Sequence, residues 1–599
     1  MNIHKDMNNV EIAKLLRSIA AAYEIKDKNK NRFKIIAYQR AADAVEHLSS
    51  EAKDLWDEGS LSDVSGIGEA IASHLGEIFK TGKSTHFQKV AKGIPNSVFE
   101  LVTVSGIGPR TAPILVEKLK LSNKKPLADL LKKAEKGKIE KLEGFGKDSQ
   151  EAFIASIKEM RGRKKRHLLN YAIHISEEII SWMEKKKECL RVDTLGSLKR
   201  KASTVGDIDM AVSTNNPKVV IEHFCNYKNA NRVIERGEHT ASIILPGNIQ
   251  VDLMVQRPEG YGALLQHFTG SKHHNIALRE YAKGLSPSLS LSEYGIKKKV
   301  KDKWSKVKGF STEKDFYNYL EMEWIPPELR EDMGEIEVAI SNKIPKLLEL
   351  KDVKADLQIH SDFDIETSHD VGASSMKDII KKADLLGYEY IAFTEHNPSH
   401  SKHKDNQLYD LIKRKRDVIE EINSTLKGKS KHSVKYVFNS LEIDILPNGN
   451  LPINDRALDL LDFALISIHS SFRQSREIMT ERILNALKHP KVKILAHPTG
   501  RKLGEREGVE INWEKVFDYC RSNNKWLEIN ADPMRLDLPD FLVKEAISNG
   551  IKITLGTDAH HIDHMDNMQY GVYVARRGWA TKDNMVNTRG FEEFKKMIE

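Results

Sequence analysis

Two hydrophobic rhythms divide the chain. In the first 160 residues, apolar positions recur at helical spacing, as in AYQRAADAVEHL from Ala37 and EAIASHLGEIF from Glu69. That spacing predicts amphipathic helices. From about Arg161 to Trp324 the pattern becomes mixed helix and strand, and a proline break, WIPPELRED, follows at Trp324 to Asp332. From about Pro345, short apolar runs alternate with helical stretches such as SMKDIIKKADLLG. The runs are VKADLQIH, YEYIAFTEH, VKYVFNSLEID, FALISIHS, VKILAHP, WLEINA and IKITLGTDAH. Repeated βα units of this kind predict a parallel barrel.

A short unit repeats within the helical part. VSGIGEAIASHL begins at Val64, VSGIGPRTAPIL at Val104, and a looser copy, LEGFGKDSQEAF, at Leu142. Each is an apolar residue, a G-x-G turn and a helix start, the pattern of a helix-hairpin-helix. Gly66, Gly68, Gly106 and Gly108 allow a tight turn and close approach of backbone N–H groups to a phosphate. The dipole of the following helix adds to the attraction. Such a grip reads no base, so a nucleic-acid partner would be held without regard to sequence.

Composition narrows the picture. With 599 residues, 40% of them hydrophobic and 30% charged, the chain is globular and holds about three to five domains. No apolar run is long enough to span a membrane. The start, MNIHKDMNNV, lacks a signal peptide's pattern, so a cytoplasmic protein is expected. Three distant cysteines without a CxxC exclude a disulfide framework and a thiolate zinc site. The net charge of +8 permits a polyanionic partner without demanding one. Basic runs lie at Lys158–His167 and Lys297–Lys308.

The first candidate chemistry lies in TLGSLKRKASTVGDIDMAV, from Thr194. Asp207 and Asp209 stand at i and i+2 on an apparent strand, which puts both on one face. Asp252 stands alone in the apolar strand NIQVDLMV, where an unpaired charge is costly. Packed carboxylates repel unless a cation sits between them, and Mg²⁺ suits oxygen ligands and substrate phosphates. Gly196 and Ser197 are expected at a helix N-terminus able to hold a triphosphate, with Arg200 one turn later. Three carboxylates, two metals and an anion cradle suit in-line nucleotidyl transfer.

This block resembles the palm of the family X, polymerase-beta-like, DNA polymerases. YGALLQHFTGSKHHNIALR, from Tyr261, is similar to that family's nucleotide-binding segment, and LSEYGI and WIPPELRE match bacterial and archaeal members. The resemblance implies that Asp207, Asp209 and Asp252 hold the catalytic metals and that Ser197 and Arg200, with Gly196, bind the triphosphate. Arg166 is implied as a further triphosphate contact. It puts Phe268, Thr269 and Gly270 beside the incoming sugar, and Asn275 and Arg279 on the minor-groove side of the nascent base pair. Lys34 and Tyr38 match positions near a 5′-phosphate. Two departures stand out. His267 replaces the tyrosine usual before Phe-Thr-Gly, which bears on sugar discrimination. His74 occupies the position of the Schiff-base lysine of deoxyribose-phosphate lyases, and imidazole cannot form a Schiff base with a sugar aldehyde.

The second candidate chemistry follows from strand ends. His360, His396, His469, His497 and His560 each end or follow an apolar run, and Glu442 and Asp558 occupy equivalent places. In a parallel barrel those ends converge on one mouth, where such donors would bind transition metals such as Mn²⁺ or Zn²⁺ and activate water against a phosphodiester. The region from Pro345 onward resembles the polymerase and histidinol phosphatase (PHP) domain. That resemblance implies the ligands His360, His396, Glu442, His469, His497, Asp558 and His560. It also implies Mn²⁺-dependent 3′–5′ exonuclease activity, with apurinic-site endonuclease activity in some members. The usual first H-x-H reads Gln358-Ile359-His360, and SDFDIETSHDVG carries a short insertion; Asp370 is the first choice for the ligand there and Asp364 the alternative.

The expected architecture is multidomain. A helical helix-hairpin-helix domain spans 1–90 and a fingers-like helical domain 91–160. A palm with a mixed sheet and nucleotide-binding subdomain spans 161–325, a linker 326–344, and a distorted TIM-like PHP barrel 345–599. The expected partners are gapped or nicked double-stranded DNA and dNTPs, with the chain a monomer.

Overall fold

A computed structural model describes residues 4, 5, 7, 9–47, 52–57, 59–64, 66–104, 106–162, 166–301, 303–427 and 433–599. Part of the basic run that begins at Lys158 lies outside the described residues.

The N-terminal part is helical. Each glycine hairpin closes through the same bonds: Ile67 N–H donates to Val64 O, Ile107 N–H to Val104 O, and Phe145 N–H to Leu142 O. The first glycine of each unit, Gly66, Gly106 and Gly144, has φ between +86° and +93°, a region that costs an L side chain roughly 1–2 kcal/mol. The helices Glu69–Thr81, Thr111–Lys118 and Lys147–Gly162 start just beyond. The loosest copy, Leu142–Phe153, therefore folds like the other two. Two separate apolar clusters stabilise this part, one around Leu16, Leu75 and Phe87 and one around Leu101, Leu115 and Leu130.

Next comes a mixed five-stranded sheet, ordered Arg191–Thr194, Ile208–Ser213, Ile249–Gln256, Thr240–Leu245, Arg232–Arg236. Only the Ile208–Ser213 and Ile249–Gln256 pair is parallel. Alternation along Ile249–Gln256 is regular, with every second residue buried. The segment between Tyr261 and Leu347 packs around its own core, centred on Leu278, Phe316 and Leu329.

From Ala355 the chain alternates strand and helix. The seven apolar runs become eight strands in two parallel sheets. Ala355–Ile359, Tyr390–Phe393 and Tyr436–Asn439 form one; Glu442–Asp444, Ala464–Ser467, Val492–Leu495, Trp526–Asn530 and Ile553–Gly556 form the other. No closed sheet forms among the described residues, although bridges at Ile359–Ala559 and His396–Glu442 span the gaps. The run VKYVFNSLEID is therefore two strands, not one. The break falls at Ser440 and Leu441, where Lys415, buried beneath, donates from Nζ to the carbonyls of Phe393 and Ser440. That break lets the chain leave the Tyr390–Phe393 strand and pair with Ala464–Ser467. The core between strands and helices includes Leu357, Leu465, Ile494 and Trp526, each fully or almost fully buried. Burying such side chains contributes about 1.5–3 kcal/mol each.

Candidate active sites

Asp209 and Asp252 are register partners on the parallel strands, so they project side by side. Asp207 lies in a bend one residue before its strand and is exposed, rather than on the strand itself. Asp252 accepts hydrogen bonds from Ser242 Oγ on the neighbouring strand and from Gln250 Nε2 at 3.0 and 3.1 Å. The three carboxylates feel one another. Burial, then Asp207 and Asp252, push the Asp209 carboxyl up to about 7, against the pull of Arg200.

Gly196 explains why these groups can be so close. It opens the short helix Gly196–Lys199 at φ +54°, and a Cβ there would stand 2.4 Å from Asp209 Oδ2. Only glycine fits both the backbone and the space. Ser197 follows on the same turn. Arg200 ends it, donating from Nε to Glu331 Oε1 and from Nη1 to Thr269 O, both at 2.8 Å.

The other positions singled out by sequence lie around this edge. Phe268 and the fully buried Thr269 end the helix Tyr261–Thr269, and Gly270 caps it. Asn275 Nδ2 donates to His267 O at 2.8 Å, and Asn275 Oδ1 accepts from Gln266. Arg279 is exposed on the next helix. Burial lowers the His267 imidazole's affinity for a proton. Arg166 is held by Thr204, Nε on Oγ1 at 2.8 Å and Nη2 on the carbonyl at 2.6 Å.

In the helical part, Lys34 is exposed with Nζ 5.2 Å from the Tyr23 ring, whereas Tyr38 is buried against Tyr23 and His86. His74 stacks on His86 at 4.0 Å. Burial pushes both imidazoles toward the neutral form.

The second constellation gathers at the C-terminal ends of the parallel strands. Glu442 is its hub. Its Oε1 lies 2.7 Å from His497 Nε2 and 3.2 Å from His469 Nε2; its Oε2 lies 3.3 Å from His360 Nε2 and accepts from Gln358 Nε2 at 2.9 Å. Asp558 Oδ1 lies 3.2 Å from His360 Nε2. Asp370 reaches His396 and His560 at 3.6 and 3.5 Å. Asp364 points elsewhere and accepts the Glu366 N–H at 2.9 Å. His497 and Asp558 both adopt left-handed backbone, φ +69° and +54°, the kind of strain that accumulates at functional sites.

Charge couples these groups. Burial alone would raise the Glu442 carboxyl, but His396, His497 and His469 hold it well below the usual range. Burial opposes protonation of His360, yet its contacts with Asp558 and Glu442 push it up to about 10. His469 is likewise opposed by burial and pushed up to about 9 by Glu442 and Asp444. Glu528, buried and beside Asp558 and Glu442, is pushed well above the ordinary carboxyl range.

The donor set fits transition-metal ions. Four overlapping groups of three, drawn from His360, His369, His396, Glu442, His469, His497, Asp558 and His560, each bring ligand atoms within 4.8 Å of one another. Nε2 of His360 and of His560 are buried, face the cluster's carboxylates and make no hydrogen bond, as metal-directed nitrogens would.

Two members of this cluster escaped the sequence reading. His369 Nε2 and His469 Nδ1 each lie 2.8 Å from Asp444, on Oδ2 and Oδ1. Asp444 stands two residues after Glu442 on a strand, the spacing that drew attention to Asp207 and Asp209, so the signal was there. His369 sits in the inserted loop, where no periodicity marks it.

Known proteins share these features. Residues 7–84 match the model of a helix-hairpin-helix domain, and residues 264–331 that of the DNA polymerase beta thumb. The DNA polymerase/3′–5′ exonuclease PolX of Bacillus subtilis (strain 168) is 33% identical over 596 residues, 99% of this chain and 100% of that protein. A probable phosphatase of Thermoanaerobacter sp. (strain X514) is 27% identical over 225 residues, 36% of this chain and 84% of its own. One of Acetivibrio thermocellus is 25% identical over 195 residues, 31% of this chain and 73% of its own.

Proposed function

Because the chain belongs to the PolX family of DNA polymerases with 3′–5′ exonuclease activity, we propose that it fills short gaps in damaged DNA with one site and trims 3′ ends with the other. Support comes from one observation above all. Two ligand sets of different chemistry form apart from each other, an all-carboxylate set at Asp207, Asp209 and Asp252 on the mixed sheet and an imidazole-rich set around Glu442 at the strand ends of the two parallel sheets.

In this reading residues 1–90 and 91–160 grip the backbone of gapped or nicked duplex through Gly66, Gly68, Gly106 and Gly108. Lys34 and Tyr38 lie toward the 5′-phosphate. Residues 161–325 form the palm and nucleotide-binding subdomain; 326–344, expected from sequence as a linker, instead pack into that subdomain's core through Leu329 and Ile336; and 345–599 form a distorted barrel interrupted between Asn439 and Glu442. The described helices include none long and apolar enough to cross a membrane. A monomer in the cytoplasm is the simplest setting.

At the palm, Asp207, Asp209 and Asp252 would hold Mg²⁺, which neutralises phosphate charge and polarises the reacting phosphoryl group. The chain does the rest. The backbone N–H groups opening Gly196–Lys199 meet the dNTP phosphates, and Ser197 and Arg200 add polar and cationic contacts. Asp252 is the general base for the primer 3′-hydroxyl or helps a bound metal activate it. Phe268 to Gly270, with Asn275 and Arg279, orient sugar and base. His74 in place of a lysine takes away the usual nucleophile for a lyase step, leaving Lys34, Lys80 or Lys83 as the candidates to replace it.

At the strand ends, His360, Asp370, His396, Glu442, His469, His497, Asp558 and His560 would hold Mn²⁺ or Zn²⁺, which supplies an activated water for phosphodiester hydrolysis. Gln358 and Asn530 orient Glu442 and Asp558 from behind, Asn530 Nδ2 donating to Asp558 Oδ2 at 3.0 Å. Such supporting contacts fix ligand geometry.

The test measures dNTP incorporation and 3′ digestion on one gapped duplex. Asp207→Ala is expected to abolish extension and leave Mn²⁺-dependent digestion intact, and His469→Ala to do the reverse. Loss of both activities from either substitution, in a folded protein, defeats the two-site reading.

A further inference from the structure

A guanidinium belonging to neither constellation joins the C-terminal part to the edge of the palm. The helix Met568–Arg577 of the C-terminal part packs against the turn Pro327–Leu329. Arg576 Nε donates to Glu328 Oε1 at 2.7 Å and its Nη1 to Leu348 O at 3.0 Å. Next to it, Arg577 Nη1 donates to Glu331 Oε1 at 2.9 Å and to the carbonyl oxygen of Arg200 at 2.8 Å. Its Nε donates to Asp540 Oδ2 at 2.8 Å. The Arg577 and Glu331 side chains are only 9% and 19% exposed.

One oxygen of Glu331 is thus shared between two guanidiniums, since Arg200 Nε also donates to it at 2.8 Å. Left with a single guanidinium, a carboxylate favours a two-pronged pair that occupies both its oxygens. Sharing keeps Glu331 to one contact with Arg200. Arg200 Nη1 is tied to Thr269 O, and the described residues leave Nη2 unused, so it is this end that a phosphate would meet.

We propose that Arg577 is a positioning residue for nucleotide binding. By holding Glu331 and the Arg200 carbonyl, it keeps Glu331 from closing fully over Arg200 and competing with a dNTP's phosphates. The C-terminal part would then set the affinity of the polymerase site without touching substrate. This inference rests on the reading of Arg200 as a phosphate-binding residue.

The experiment uses the full-length protein with Mg²⁺, dNTP and gapped duplex, and reads KM for dNTP, kcat and 3′ digestion separately. Arg577→Ala is expected to raise KM about five- to ten-fold, with kcat within about two-fold and digestion unchanged. The double variant Arg577→Ala, Glu331→Gln should return KM to within about two-fold of the parent, because a neutral amide cannot compete for Arg200. Arg577→Lys covers the case in which alanine prevents folding. It keeps one charge but loses the fork, so KM should rise about two- to three-fold and fall back when Glu331→Gln is added.

Arg200→Ala separates the two layers. If it leaves KM unchanged, the reading of Arg200 fails and the proposal with it. If it raises KM while Arg577→Ala and Arg577→Lys do not, Arg577 has no positioning role. If KM rises in the Arg577 variants but Glu331→Gln does not restore it, the route through Glu331 is wrong.

Discussion

At the palm, carboxylate faces carboxylate; at the C-terminal strand ends, carboxylate faces imidazole. The contrast appears in opposite proton affinities. Asp209, buried and crowded by its own kind, is pushed up to about 7, whereas Glu442, ringed by His396, His497 and His469, is held well below the usual range. The palm sets little counter-charge against its carboxylates, the pull of Arg200 on Asp209, and is expected to close around cations brought with substrate phosphates. The imidazole cluster balances itself and is assembled in advance, so metal must displace protons rather than gather ligands. The difference suits a site that meets a charged nucleotide every cycle and one that keeps its ions.

The largest expected effect follows from those protons. His360 and His469 are pushed up to about 10 and about 9, so both carry protons at neutral pH and both must lose them to ligate metal. Mn²⁺ affinity of the cluster should fall about 100-fold for each pH unit below about 9, ten-fold per displaced proton. The palm displaces one proton, from Asp209, and only below about pH 7. Its affinity should fall about ten-fold per unit there and stay flat above. Calorimetric Mn²⁺ titrations from pH 6 to 9, on His469→Ala for the palm and Asp207→Ala for the cluster, give the two slopes. Equal slopes would erase the contrast.

A smaller effect tests how tightly the carboxylates are gathered. Gly196→Ala would put a Cβ 2.4 Å from Asp209 Oδ2 on a backbone at φ +54°. Primer extension should fall about ten- to hundred-fold, with 3′ digestion untouched. A variant that extends primers normally means that Asp209 has room to spare.

The smallest is a matter of stability. A carboxyl whose folded value is raised binds its proton more tightly than in the unfolded chain, so stability is lost as pH rises from about 4 to about 7. Asp209→Asn removes that penalty. Without metal at pH 8 it should raise the melting temperature of its unit by about 2 °C, and the gain should vanish below about pH 4. A lower melting temperature at pH 8 would show that burial and its acidic neighbours do not penalise the Asp209 charge.

Local signals carried much of the fold. Three G-x-G copies, even the divergent Leu142 version, were legible because a hairpin is set by a few consecutive residues. The seven apolar runs were legible because strands bury alternate or continuous apolar faces. The split at Ser440 was not, since it depends on Lys415, which reaches that carbonyl from a distant helix. His369 joins the cluster only because its loop folds back over the strand ends.

The sequence alone determined which groups are at hand: Asp207 and Asp209 two residues apart, Asp252 alone in an apolar strand, and histidines following strand after strand, since such patterns act over a few residues. Tertiary structure decided which groups meet. It set Gly196 against Asp209, brought Asp444 to both His369 and His469, and joined Arg577 to Arg200 across 377 residues of chain. Such contacts depend on packing between separate units, and no short stretch of sequence encodes the distance between them.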